Sequence, residues 1–106
     1  MEAAVRALDD AAHSYALLSR DRPDSYLGIS GGGPIGYYVS LWTEDEREFA
    51  VVGDPSAGEI VMLHSGGQGM RCSRRNLVDL AAALCAARAY WEGTDMAPGL
   101  TWEELP

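Results

Sequence analysis

The sequence contains no lysine, only two cysteines, a single phenylalanine and no long apolar run. Each scarcity narrows what the chain can be. Its eight basic residues, all arginine, stand against sixteen acids for a net charge of −8. Nucleic acid phosphates and anionic membrane surfaces are held by basic patches, so neither is expected as a direct ligand. A chain this acidic is instead drawn to a basic partner, with association fastest at low salt. Cys72 and Cys85 are thirteen positions apart with no histidine nearby. They are expected to be two buried, reduced thiols and not a metal site or a disulfide framework. No stretch approaches the roughly 18 apolar residues that a membrane-spanning helix needs. The opening MEAAVRALDDAAH carries acids where a secretory signal requires positive charge, so it is expected to be part of the fold and the protein to be cytoplasmic.

What is present is enough for one core. The chain has 106 residues, 47% of them hydrophobic. That composition argues against disorder, and the length is that of one domain, residues 1–106. A chain of this size buries about two-thirds of the surface it exposes when unfolded.

The most informative segment is YYVSLW-TEDERE-FAVV-GDPSAG-EIVMLH, Tyr37 to His64, three β-favouring runs joined by acidic turns. Alternation predicts a strand over Ile35 to Trp42, with Tyr37, Val39 and Leu41 on one face and Tyr38, Ser40 and Trp42 on the other. Thr43 to Arg47 is the charged loop of a hairpin. Phe49 to Val52 is apolar on both faces and is expected near the sheet centre. Asp54-Pro55-Ser56 has the residues of a type I turn, and Glu59 to His64 reads as the next strand. Ser25 to Ser30 and Met70 to Cys72 are shorter strand candidates.

Helices are expected on either side. Val5, Leu8, Ala12 and Tyr15 recur at three- and four-residue steps, which predicts a helix from Glu2 to about Ser19, ended by Arg20 to Pro23. Ser73 is the expected N-cap of a second helix whose stripe is Leu77, Leu80, Ala81, Leu84 and Trp91, with Gly93 ending it. The tail from Pro98 to Glu104 is expected to dock as a short extended segment. Loops this short cannot return a parallel strand, which takes about a dozen residues. The expectation is an α+β fold: N-terminal helix, four- to five-stranded antiparallel meander, C-terminal helix packed on the sheet, extended tail.

No catalytic constellation accompanies this fold. Gly31, Gly33 and Gly36 match G-x-G-x-x-G, but a strand follows where a dinucleotide site requires a helix, and Pro34 removes an amide. Gly66-Gly67-Gln68-Gly69 lacks the Lys-Ser/Thr of a phosphate loop. His64 and Ser65 are neighbours on a strand and so point to opposite faces. His13 lies on the expected helix next to Ser14, and no carboxylate is expected in orienting contact with either histidine. The pairs Glu44/Glu46, Asp54/Glu59 and Glu103/Glu104 fall in turns or the tail, where nothing desolvates them for acid–base work. Arg71, Arg74 and Arg75 are expected to salt-bridge with neighbouring acids. No enzyme, cofactor or metal site is expected. Trp91 and one strand face are assigned to the core, whereas Trp42 beside the acidic loop and Trp102 beside Glu103 and Glu104 have the composition of a protein-binding hot spot.

Three stretches taken in order, REFAVVGDPSAGEIVMLHSGG, the alanine-rich helix ending ARAYWEGT, and the closing PGLTWEEL, resemble the Imm-one family of bacterial polymorphic-toxin immunity proteins. The resemblance covers about residues 25–104. Gly53, Asp54, Trp102 and Glu103 match the family pattern, while Glu92-Gly93-Thr94 departs from the usual Thr-Gly step at the helix end. The resemblance implies a non-enzymatic antitoxin that binds and neutralises a cognate secreted toxin, often a nuclease or a nucleic acid deaminase. Such toxins carry basic substrate grooves, which an acidic protein can occlude. The expected contacts are Trp42, Glu44, Asp45, Glu46, Asp54, Trp102, Glu103 and Glu104. The alternative is a secretion chaperone or adaptor that binds its client without inhibiting it.

Overall fold

The computed structural model describes residues 2–10, 13–19 and 25–106. It is an α+β arrangement built on one antiparallel sheet and a separate two-stranded hairpin. In chain order the elements are α1 (Glu2–Arg6), β1 (Tyr15–Ser19), β2 (Tyr26–Gly31), β3 (Tyr37–Trp42), β4 (Glu48–Val52), β5 (Ile60–Ser65), β6 (Gln68–Ser73), β7 (Leu77–Val78), α2 (Leu80–Trp91) and β8 (Thr101–Glu104). The main sheet runs β1-β2-β3-β4-β8, with β7 pairing the start of β3 beyond the end of β4.

Alternation sorts the sheet into two faces. Register places Ala16 and Leu18, Leu27 and Ile29, Val39 and Leu41, and Phe49 and Val51 on one side. That side meets the helices in a single buried cluster that also takes in Val5, Leu8, Ala83, Leu84, Ala87 and Tyr90. Ala83, Ala86 and Ala87 are small enough for α2 to lie close on the strands. Tyr90 reaches the far end of that layer, where its hydroxyl donates to the Ser25 carbonyl at 3.1 Å. A bidentate Arg88–Glu2 pair, at 2.9 and 2.7 Å, ties α1 to α2.

Strands were more legible than helices. The β2, β3, β4, β5 and β6 segments all overlap expected strands, β6 beginning at Gln68, two residues before the expected Met70, and the tail docks as β8 along β4. The N-terminal helix, however, is one turn long: the chain breaks after Arg6, Asp10 takes a left-handed φ of 62°, and Tyr15–Ser19 is a strand. The stripe that suggested a longer helix joined Val5 and Leu8, which are helix-side core, to Tyr15, which is 42% exposed on a strand. Ala12 and the expected terminator from Arg20 to Pro23 lie outside the described residues.

The second helix begins six residues later than expected. Ser73 does cap, but it caps a 3₁₀ turn over Arg74–Asn76, and Asp79 is the N-cap of α2, accepting from the Ala82 amide at 2.9 Å. Its buried stripe is Ala83, Leu84, Ala87 and Tyr90, leaving Ala81 exposed and Trp91 58% exposed instead of in the core. In an alanine-rich helix, two stripes rotated by one residue are equally apolar, and periodicity cannot choose between them. Gly93, at φ 108°, ends the helix as expected.

The expected single meander also divides. Among the described residues, β5 and β6 pair with each other and with no other strand. This hairpin leans on the second face of the main sheet at the Ser30–Tyr38 end. The Ser65 and Ser30 hydroxyls meet at 3.0 Å, and Leu63 and Cys72 are buried beneath the hairpin. Cys85, by contrast, is an exposed free thiol on α2.

Candidate protein-binding surface

The hairpin covers only part of the second face, and the uncovered part is aromatic. Its side chains come in rows set by register: Tyr15, Leu17 and Ser19 on β1, Tyr26 and Gly28 on β2, Ser40 and Trp42 on β3, and Glu48 on β4. Leu17 is 56% exposed and Tyr15 42%, both unusually open for such side chains in a sheet. Trp42 and Tyr26 are paired across the strands and stack with ring centroids 6.4 Å apart and planes 20° apart. The Tyr15 ring lies over Gly28, with Oη 3.1 Å from where a Cβ would stand. Burial, with the neighbouring Tyr26 second, holds the Tyr15 phenol above its ordinary value. Towards the covered end Tyr38 is pushed up to about 12, first by burial and then by the carboxylates of Glu48 and Glu103.

The acidic loop Thr43 to Arg47 rims this face. It is a tight, internally bonded turn: the Thr43 amide donates to the Arg47 carbonyl at 2.9 Å and the Glu46 amide to the Thr43 carbonyl at 3.1 Å. Glu46 adopts a left-handed φ of 64°. The Thr43 hydroxyl donates to Asp45, which first among its causes holds that carboxyl below its ordinary value. Arg47 then crosses to the helix side. Its guanidinium lies 5.0 Å from the centroid of Phe49 and forms a fork on Glu104 at 3.0 and 2.8 Å, with Asp45 3.7 Å away. That fork lowers the Glu104 carboxyl and raises the Arg47 guanidinium further above its ordinary value. Among the described residues, five carboxylates, Glu44, Asp45, Glu46, Glu48 and Glu104, share this end of the sheet with one guanidinium, that of Arg47.

The eight residues singled out from the sequence therefore separate. Trp42 is on the open face, and Glu44, Asp45 and Glu46 are exposed at its rim. Glu104 points to the helix side, into the Arg47 fork. Trp102 packs against the main core, and its Nε1 donates to the Ala97 carbonyl at 3.2 Å. Glu103 is on the second face, but Asn76 and Arg75 cover it, each donating to it at 2.8 Å. These two donors, Asn76 first, lower its carboxyl. Asp54 lies two residues beyond the other end of β4, a five-residue strand that spans about 13 Å at ~3.3 Å per step. There it accepts from the amide and hydroxyl of Ser56 at 3.0 and 2.7 Å, the turn chemistry its sequence suggests. Arg74 and Arg75 do salt-bridge, to Glu59 at 3.2 Å and Glu103 at 2.8 Å.

Gly31 to Gly36 form the connection between β2 and β3, with positive φ at Gly31, Gly32, Gly33 and Gly36. His64 does meet a carboxylate, contrary to expectation: the fold brings Asp10, 54 residues away in the chain, to 3.4 Å from its Nδ1, while Ser65 turns to Ser30. Among the described residues, no three His, Cys, Asp or Glu side chains gather in a way that could hold a metal ion. No helix among them is long and apolar enough to cross a membrane.

Tyr15, Leu17 and Tyr26 are the surface residues that sequence reasoning missed. Periodicity gave no signal for β1, since the polar residues Asp9, Asp10, His13 and Ser14 all fall off the stripe of Val5, Leu8, Ala12 and Tyr15 and suit a helix equally well. A scan against protein-family models finds no match to the chain, and neither do searches of curated proteins and of solved structures.

Proposed function

We propose that this protein is an immunity protein that binds a basic, nucleic-acid-acting toxin and blocks its substrate groove. The observation that carries the reading is the Trp42–Tyr26 stack in a partly open sheet face, rimmed by Glu44, Asp45, Glu46 and Glu48. Half-buried aromatics rimmed by charge have the anatomy of a protein interface: the rings meet the partner, and the rim steers it and excludes water. A standard interface takes about 800 Å² from each partner, which one face of a domain this size can supply. The resemblance to the Imm-one family supplies the class of partner. Of the contacts expected from the sequence, the reading rests on Trp42, Glu44, Asp45 and Glu46. Glu103, Glu104 and Trp102 are committed to internal bonds, and Asp54 is at the other end of the sheet.

Co-expression with the product of the neighbouring gene tests the role: restored growth of cells producing that toxin is expected, and secretion without restored growth would favour a chaperone. Reversing Glu44, Asp45 and Glu46 to lysine should slow association at low salt by about tenfold or more and flatten its salt dependence. Unchanged association kinetics would remove the loop from the interface.

A further inference from the structure

Among the described residues, the main sheet ends on one side at β1, and Tyr15–Ser19 itself carries none of the devices that usually block strand addition. Its sequence, Tyr-Ala-Leu-Leu-Ser, has no charge, no proline and no bulge against β2. Among the described residues, β1 pairs with β2 and with no other strand.

The hydrogen-bond phase fixes which backbone groups are open. The Gly31 amide donates to the Ser14 carbonyl at 3.2 Å, and those two residues are opposite each other in the β1–β2 register. Bonded and non-bonded pairs alternate along an antiparallel ladder. Ala16 and Leu18 therefore point their amides and carbonyls at β2, and Tyr15, Leu17 and Ser19 point theirs outward. The same three residues put their side chains on the open face. Backbone donors, acceptors and an apolar row are thus presented together over five residues. At the Tyr15 end the edge opens into a groove of about 500 Å³ lined by Ala4, Ala7, His13, Tyr15 and Gly67.

We propose that the free edge of β1 takes up an extended segment of a basic partner protein as an added strand, with alternate side chains of that segment lying against Tyr15 and Leu17. Main-chain bonds would supply affinity and the alternating side chains specificity. The occupant is a basic segment because the chain carries −8 and its open face ends in the acidic Glu44–Glu48 rim. Pairing of two copies through β1 would set two such charges side by side. The inference rests on the toxin-binding reading above for the partner's kind, but its test needs no toxin.

Amide hydrogen exchange is followed by NMR with three probes: a heptapeptide of alternating arginine and valine, the same peptide N-methylated at alternate residues, and a heptapeptide of alternating threonine and valine. The arginine peptide at saturation should slow exchange of the Tyr15, Leu17 and Ser19 amides by about tenfold or more, leaving Ala16 and Leu18 as protected as before. Leu17→Lys should abolish that effect while keeping the Ala16 and Leu18 amides protected, which shows that the strand is intact. Leu17→Pro, which removes only an outward donor, should weaken it as well. The proposal is overturned if the outward amides gain no protection or if the N-methylated peptide works equally well. Equal binding of the threonine peptide overturns the basic occupant, as does concentration-dependent protection without peptide, which would assign the edge to a second copy. A failed edge with growth still restored leaves the immunity reading standing; a working edge without restored growth removes that reading alone.

Discussion

Tyr90 is fully buried beneath the sheet and spends its hydroxyl on the Ser25 carbonyl, with the Ser25 hydroxyl 3.4 Å away. Phenylalanine would fill the same volume but leave a buried carbonyl short of a donor. Tyr90→Phe should therefore cost about 1–3 kcal/mol in urea unfolding, and a variant as stable as the parent would mean that water replaces the phenol. Glu103 makes a second residue-scale case. Asn76 first, and then Arg75, lower its carboxyl below the ordinary glutamate value of 4.5. A lowered folded-state value means stability that is present above the ordinary value and lost as pH falls through the lowered one. The stability advantage of the parent over Glu103→Gln should be constant from pH 7 to about 5 and shrink below 4.5. An advantage that grows on acidification would reverse that assignment. Neither partner of Glu103 was readable from the sequence, since Asn76 and Arg75 are 27 and 28 residues away and come over β8 only through the turn that precedes β7.

At the scale of elements, α2 is held by its cap and its close fit. Asp79 satisfies the Ala82 amide, and Asp79→Ala should cost about 1 kcal/mol in thermal or urea unfolding. Ser73→Ala should cost less, because Ser73 caps only a 3₁₀ turn with a 3.4 Å bond. The contrast also shows where the sequence was informative. Strand β3 was legible because alternation of Tyr37, Val39 and Leu41 against Ser40 and Trp42 fits no other period, and β4 because a short apolar run bounded by turns is too brief for a helix. α2 was legible as a helix but not in its phase, since an alanine-rich segment offers no asymmetry to set which face is buried. β1 was hidden because Val5, Leu8 and Tyr15 satisfy a helical spacing although the chain changes direction between them. The candidate surface was half legible for the same reason: Trp42 and the acids announced themselves, and Tyr15 and Leu17 were assigned to the wrong element.

On the scale of the whole molecule, one face of the sheet is used for folding and the other is divided. Helices close the first face over a continuous apolar cluster. The β5–β6 hairpin closes part of the second, and among the described residues the remainder, from Tyr15 to Glu48, stays partly open. The two prominent tryptophans fall on opposite layers. Trp42 is in the open face, stacked on Tyr26, whereas Trp91 is 58% exposed at the end of α2. That separation gives the most direct test of the central claim. Affinity for the co-encoded toxin should be measured for Trp42→Ala and Trp91→Ala, each confirmed folded by far-UV circular dichroism. The account predicts a loss of about 30-fold or more for Trp42→Ala, the size of an interface hot spot, and an unchanged Kd for Trp91→Ala. Full affinity in Trp42→Ala, or a loss confined to Trp91→Ala, would contradict it and move the interface to the helical layer.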